Sequence, residues 1–232
     1  MKHLTKRQKE SQKIVEKDKL YSLEEAVAIL KKAPRAKFDE TVEVCFKLGA
    51  DPKQSGQMVR GTLILPHGTG KDVKVLVLCK GESVNDAKEA GAEYVGGEEL
   101  ISKISSGWVD FDVVISAPDM MRDVGKLGKV LGPRGLMPNP KIGTVTNDLK
   151  RAVKEAKAGR IEFKLNSLGN INTGIGKISF GEKEISENAN SLIHAIDKAR
   201  PQSAKGKFIK NISLSTTMGP GVKLDHSKLA TS

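Results

Sequence analysis

Two hydrophobic textures run along this chain, and one is nested inside the other. In Thr41-Val42-Glu43-Val44-Cys45-Phe46-Lys47-Leu48 every second residue is apolar, so Val42, Val44, Phe46 and Leu48 share one side of a strand. Such alternation belongs to an antiparallel sheet with one wet face. Val75-Leu76-Val77-Leu78-Cys79 and Val113-Val114-Ile115-Ser116 are almost continuously apolar, as strands covered on both faces are. Alternation returns at Arg160-Ile161-Glu162-Phe163-Lys164-Leu165. The chain therefore divides into a discontinuous domain, residues 1–67 and 160–232, and an inserted domain, residues 68–159.

Local signals fill in both halves. Ser22-Leu23-Glu24-Glu25 reads as a capping box, and Leu23, Ala26, Val27 and Leu30 follow at helical spacing up to Pro34. Met58 to Pro66 and Ile175 to Phe180 read as strands. Ile185 to Ala199 reads as an amphipathic helix, and Lys207 to Leu214 as a last strand running into Thr216-Thr217-Met218-Gly219-Pro220 and a polar tail. The outer domain is thus α+β, with a split, mostly antiparallel sheet and two main helices. In the insert, helices over 83–90 and 98–106 alternate with strands near Val77, Tyr94 and Ile115, and residues 119–131 and 146–158 read as two further helices. That rhythm implies a Rossmann-like α/β domain with a small parallel sheet. The two crossings, at Pro66, His67 and Gly68 and again at Gly159, are expected to act as a paired hinge.

Charge separates the halves as well. The net charge is +11, and it is unevenly placed. Residues 1–66 carry 14 Lys and Arg against 9 Asp and Glu, residues 67–159 carry 14 against 13, and residues 160–232 carry 11 against 6. Both ends are basic and the middle is nearly neutral, which suits an outer domain that faces a polyanion. No apolar run approaches the ~18 residues of a membrane span, and the first twenty residues lack the apolar core of a signal peptide. A cytoplasmic location and no membrane partner are expected. Cys45 and Cys79 stand alone, without metal-ligand spacing, so neither a disulfide nor a metal is expected.

Enzymatic patterns are incomplete. Gly68-Thr69-Gly70-Lys71 approaches a phosphate loop, but the position of its first glycine holds Leu65, and Asp72 replaces the metal-binding hydroxyl. Gly125, Gly128, Gly132 and Gly135 lack dinucleotide-binding spacing. His3, His67, His194 and His226 are scattered, and acid pairs sit at helix starts where the helix dipole accounts for them. No cofactor is expected, and a nucleotide-dependent enzyme is the weaker alternative.

Several features suit RNA. Phe38 beside Lys37 stands at a loop-to-strand junction, from which an aromatic ring can pack on a ribose or base or else plug the core beneath the helix. Thr216 and Thr217 offer hydroxyls, Met218 an apolar contact, and Gly219 room for close backbone approach. Arg134 and Lys141 make the loop from Gly132 to Gly143 a second, weaker basic face. Aromatic residues make up only 4% of the chain, so serial base stacking is not the expected mode. Folded RNA read by shape and backbone fits better than the unstructured RNA of a general chaperone.

Over nearly its whole length the chain resembles the large-subunit ribosomal protein one family, the stalk proteins, in its bacterial form. The resemblance is carried by Lys37-Phe38-Asp39-Glu40-Thr41-Val42-Glu43, Val59-Arg60-Gly61-Thr62, Leu65-Pro66-His67-Gly68-Thr69-Gly70-Lys71 and Gly91-Ala92-Glu93-Tyr94-Val95-Gly96-Gly97. It continues in Leu131 to Pro140, Lys157-Ala158-Gly159-Arg160-Ile161-Glu162-Phe163 and Thr216-Thr217-Met218-Gly219-Pro220. It implies a non-enzymatic component of the large ribosomal subunit, monomeric when free, that binds a stalk helix of large-subunit rRNA near the tRNA exit site. Exit-site tRNA, whose release it would assist, other ribosomal components and the leader of its own mRNA, on which it would act as a repressor, are the further partners implied. The family's RNA contacts carry over onto Phe38, Thr217, Met218 and Gly219, and further onto Lys37, Thr41, Lys164, Thr173 and Lys205.

Overall fold

A computed structural model describes residues 5–225 except 17, 18, 35, 53, 82 and 205, and the backbone alone of residues 7, 8, 12, 55 and 141. In chain order the elements begin with α1 (Lys6–Ile14), α2 (Leu23–Lys32), β1 (Thr41–Leu48) and β2 (Arg60–Ile64). There follow β3 (Val75–Leu78), α3 (Ser83–Glu89), β4 (Tyr94–Gly96), α4 (Glu98–Ser105), β5 (Val113–Ser116), α5 (Met121–Val124), α6 (Gly128–Leu131) and α7 (Leu149–Lys157). The chain finishes with β6 (Arg160–Lys164), β7 (Asn170–Lys177), α8 (Glu182–Lys198), β8 (Ile209–Thr216) and β9 (Val222–Leu224). Two compact units result, residues 1–70 with 161–232 and residues 71–160.

The outer unit is built around β1, the second strand of a four-stranded sheet ordered β7-β1-β8-β9. Its alternating residues behave as the physics of a one-sided sheet requires. Val42, Val44, Phe46 and Leu48 are buried and pack with Ile171, Ile175, Ile212, Leu214, Val222 and Leu224 from the neighbouring strands. Helices α2 and α8 close this side with Leu23, Ala26, Val27 and Leu30 and with Ile185, Ala189, Leu192, Ile193 and Ile196. The expected capping box is present: Ser22 Oγ accepts from Glu25 N at 3.3 Å, and Ser22 N donates to Glu25 Oε2 at 3.0 Å. A separate ribbon pairs β2 with β6, joining the chain just before the insert to the chain just after it.

Several sequence expectations for this unit change. The strand placed at Ile175 to Phe180 begins at Asn170 and ends at Lys177, because pairing along most of β1 overrides the weak strand preference of Asn170, Asn172, Gly174 and Gly176. The last strand runs Ile209–Thr216 rather than Lys207 to Leu214. The tail contains a further strand, β9, whose three residues are too few to show a period; Val222 and Leu224 are buried, and Tyr21 bridges to Leu224 at the sheet edge.

In the inserted unit, β4, β3 and β5 form a parallel sheet. Leu76 and Leu78 join a core with α4 and the segment after β5, while Val75 and Val77 join another with α3 and α7. Both faces of β3 are covered, which is why its sequence shows no alternation. The helix expected over 119–131 is instead a chain of short pieces: 3-10 turns at Pro118–Met120 and Gly125–Leu127 alternate with α5 and α6. Gly125 and Gly128 weaken a continuous helix, yet Met120, Val124, Leu127 and Leu131 keep one buried stripe. The helix expected from residue 146 starts at Leu149, where Asp148 caps it.

Two buried or paired polar groups make testable contributions. Asn188 on α8 is fully buried; its Oδ1 accepts from His67 N at 3.1 Å, and its Nδ2 donates to the carbonyls of Gly68 and Ile175 at 3.0 and 2.8 Å. Asn188→Leu is expected to destabilise the protein by about 2–4 kcal/mol in urea unfolding, because three backbone groups lose their partner at once. In the insert, the Lys71 ammonium bonded to Asp112 holds its carboxyl below the usual Asp range. A depressed folded pKa stabilises above the unfolded value, near ~4, and this stabilisation is lost as pH falls through the folded pKa. Urea titrations across acid pH should give a shallower loss of stability for Asp112→Asn than for the wild type.

Candidate nucleic-acid interface

The turn from β8 to β9 folds back onto the start of β1. Thr217 N donates to the Thr41 carbonyl at 3.1 Å, and Thr217 Oγ1 accepts from Thr41 N, also at 3.1 Å. Thr217 is exposed, but its hydroxyl is engaged by the backbone of Thr41. Thr216 is buried, so its hydroxyl does not face outward as the sequence suggested. Gly219 N donates to the Thr216 carbonyl, and a Cβ on Gly219 would collide with Thr216 Oγ1. The glycine is required by this internal approach, before any ligand is considered. Met218, at the tip of the turn, is 57% exposed.

The loop before β1 meets the same place from the other end of the chain. Phe38 is 54% exposed, which settles the choice between core plug and surface contact in favour of the surface. Two residues on, Glu40 is only 2% exposed. Its Oε1 accepts from Ala36 N at 2.7 Å, and its Oε2 accepts from Met218 N at 3.0 Å. Asp39 accepts from Ser179 N and Ser179 Oγ, while Lys177 Nζ donates to Thr41 Oγ1 at 3.1 Å. Residues 36–41, 177–179 and 216–219 are thereby tied into one rim at the Thr41 end of β1. Lys37 is exposed on it.

From this rim the uncovered face of the four-stranded sheet extends. Strand register puts Glu43 between Gly174 and Ser215, Cys45 between Asn172 and Ser213, and Lys47 between Asn170 and Asn211, with Lys223 beside Ser213. Side chains of paired residues point to the same face, so these small and polar groups form a single shallow surface. Sequence reading passed over Glu43, Ser213 and Ser215. The alternation of β1 marked Glu43 as outward, but nothing in one strand says which residues of another will flank it.

The remaining expected contacts are distributed differently. Thr173 pairs with Val44, buried on the inner face, and its hydroxyl is enclosed with no hydrogen-bond partner; it does not reach the open surface. Lys164 is exposed on β6, shortly before the turn that brings Asn170 beside Lys47, and Thr41 and Lys47 stand ~20 Å apart along β1. It therefore lies toward the far end of the sheet from Phe38. Lys205, His3 and His226 lie outside the described residues, as does the side chain of Lys141, whose backbone forms part of a 3-10 turn. Arg134 is exposed on the insert. Of the expected hinge residues, Pro66 precedes His67, which Asn188 binds and whose ring contacts Glu187, and Gly68 and Gly159 have φ of 66° and 93°.

Ion pairing sharpens the charge asymmetry. The outer unit holds 24 Lys and Arg against 15 Asp and Glu, and the insert 15 against 13. In the insert Lys71, Lys74, Lys80, Lys126, Lys150 and Lys157 each reach a carboxylate. Among the described residues Lys37, Lys47, Lys164, Lys177, Lys210 and Lys223 of the outer unit make no such pair; of these, Lys47 and Lys177 instead bond carbonyl or hydroxyl oxygens. No His, Cys, Asp and Glu group suited to a metal ion occurs among the described residues, and no helix there is long and apolar enough to cross a membrane.

Known proteins resemble this chain closely. It is 60% identical over 216 residues to "Large ribosomal subunit protein uL1" of Persephonella marina, covering 91% of this chain and 89% of that one. The protein of the same name from Protochlamydia amoebophila is 55% identical, covering 95% and 94%, and that from Kosmotoga olearia is 53% identical, covering 97% of each. The sequence pattern described as the ribosomal protein L1p/L10e family matches residues 30–220. With identity of this order along nearly the full length of three relatives, the chain belongs to the ribosomal protein L1p/L10e family.

Proposed function

We propose that this protein is a structural component of the large ribosomal subunit whose outer unit grips a folded stalk of large-subunit rRNA. Membership of the family supports the ribosomal and cytoplasmic assignment directly. The observation that carries the finer reading is the convergence of exposed Phe38 and Met218 on one rim, beside an open polar sheet in the unit that holds most of the excess charge. An aromatic ring and a thioether supply flat apolar contact for a ribose or an unstacked base. Glu43, Ser213 and Ser215 supply acceptors and donors for base edges and 2′-hydroxyls, and lysines around them that make no ion pair meet phosphates. On this reading the rRNA lies near the tRNA exit site, the insert moves about Pro66 to Gly68 and Gly159 to help release deacylated tRNA, with Arg134 and Lys141 as its own contacts. A leader of the protein's own mRNA that mimics the rRNA site would occupy the same rim and repress translation.

The nucleotide-enzyme alternative gains nothing from the segment that suggested it. Lys71 is bonded to Asp112, and Gly70, at φ 65°, packs under the Phe180 ring, where a Cβ would lie 2.7 Å from ring carbon. The general-chaperone alternative is addressed by competition between a folded stalk fragment and unstructured RNA of equal length.

Three outcomes are expected in binding titrations. The logarithm of affinity against the logarithm of salt should have a slope of roughly −4 to −7, corresponding to about five to eight neutralised phosphates. Met218→Ala should weaken the folded stalk by about 1–3 kcal/mol and leave unstructured RNA nearly unaffected; equal losses on both would remove Met218 from recognition. Gly219→Ala should lower stalk affinity by about tenfold or more through displacement of the turn, with the β1 and β8 amides still protected from hydrogen exchange.

A further inference from the structure

One buried carboxylate holds both loops of the proposed RNA rim, and we infer that Glu40 is a positioning residue that sets Phe38 and Met218 for recognition without touching RNA itself. The inference rests on the RNA-binding reading above. Three observations carry it. Glu40 is 2% exposed, so it is closed to a ligand. Its two carboxylate oxygens are divided between two backbone donors, Ala36 N on the loop that carries Phe38 and Met218 N at the tip of the terminal turn. Its own carbonyl accepts from Ile178 N at 2.9 Å, which fixes the residue against the end of β7.

The chemistry selects a glutamate at this position. A carboxylate can accept on both oxygens at once, whereas the amide of glutamine has one acceptor and one donor. Any orientation of a glutamine side chain there would therefore aim an N–H at one of the two backbone N–H groups. Aspartate keeps both acceptors but is one methylene shorter. The two loops join residues 178 positions apart in sequence, and without the shared acceptor each would have to be ordered separately when RNA binds, which weakens binding. The side chains of Phe38 and Met218 are apolar and open to solvent over 54% and 57% of their surfaces, so burial does little to hold them in place.

The test compares Glu40→Gln, Met218→Ala and the double variant of the full-length chain on a folded stalk fragment and on unstructured RNA. If Glu40 acts through Met218, Glu40→Gln raises Kd for the stalk by about tenfold or more and leaves unstructured RNA within about twofold. The double variant then binds the stalk within about twofold of the weaker single variant, because a mispositioned methionine has little left to lose. Losses that multiply, or that fall equally on both RNAs, overturn the inference and leave Glu40 a purely structural residue. Should Glu40→Gln unfold the chain, amide exchange of the wild-type protein decides: strong protection of the Met218 N–H supports the clamp, and exchange at the free-peptide rate overturns it. Failure of the RNA reading looks different. There the wild-type protein would not discriminate stalk from unstructured RNA at all, even with the Met218 amide protected.

Discussion

Strand β1 is hydrogen-bonded on both sides, and the outer unit cannot exist without either ladder. One ladder is made with β7 and the other with β8, both synthesised after the ninety residues of the insert. The partners face each other from Thr41↔Lys177 to Lys47↔Asn170 and from Val42↔Thr216 to Leu48↔Ile209. A strand left unpaired in this position would expose its backbone groups and the apolar row Val42, Val44, Phe46 and Leu48 together. The unit is therefore all-or-none about its two chain segments, and the loop closures involved are long, which favours slow folding. The β2-β6 ribbon and Asn188, which binds the backbone of His67 and Gly68, anchor the segments where the chain leaves and returns.

The same ladders create the surface on which the proposed function rests. With helices α2 and α8 on one face only, the other face of the sheet stays open, and the register lines up Glu43, Cys45 and Lys47 with Ser215, Ser213 and Asn211. Strand register fixes where each of these side chains emerges, and the surface is shallow. That shape suits the wide, shallow minor groove and the splayed loops of folded RNA better than a cleft does.

Electrostatics divides the labour between the units. In the insert most lysines spend their charge on neighbouring carboxylates, and Asp110, Asp112 and Asp123 are all held below the usual carboxylate range by a lysine partner. In the outer unit a group of lysines is left to solvent counterions. Release of those ions is what makes polyanion binding favourable and salt-dependent, so the two units, both rich in cations, present different surfaces.

The sequence by itself determined the kind of most elements, because burial on one or both faces of a strand writes a period into its own residues: alternation at β1 and its absence at β3. It also determined the Ser22 cap, a local interaction over four residues, and the basic character of the two ends. Tertiary structure decided what depends on strangers in sequence. Strand β9 and the true extent of β7 exist because β8 and β1 pair with them, overriding weak local preference, and the inward turn of Thr173 follows from its register against Val44. Phe38 could have been core or surface from its neighbours alone. Nothing in the terminal turn itself shows that Thr41 and Glu40, 176 and 178 positions away, bind its backbone. A hydrogen bond between such distant residues leaves no periodic trace in either segment, since its geometry is set by the fold between them.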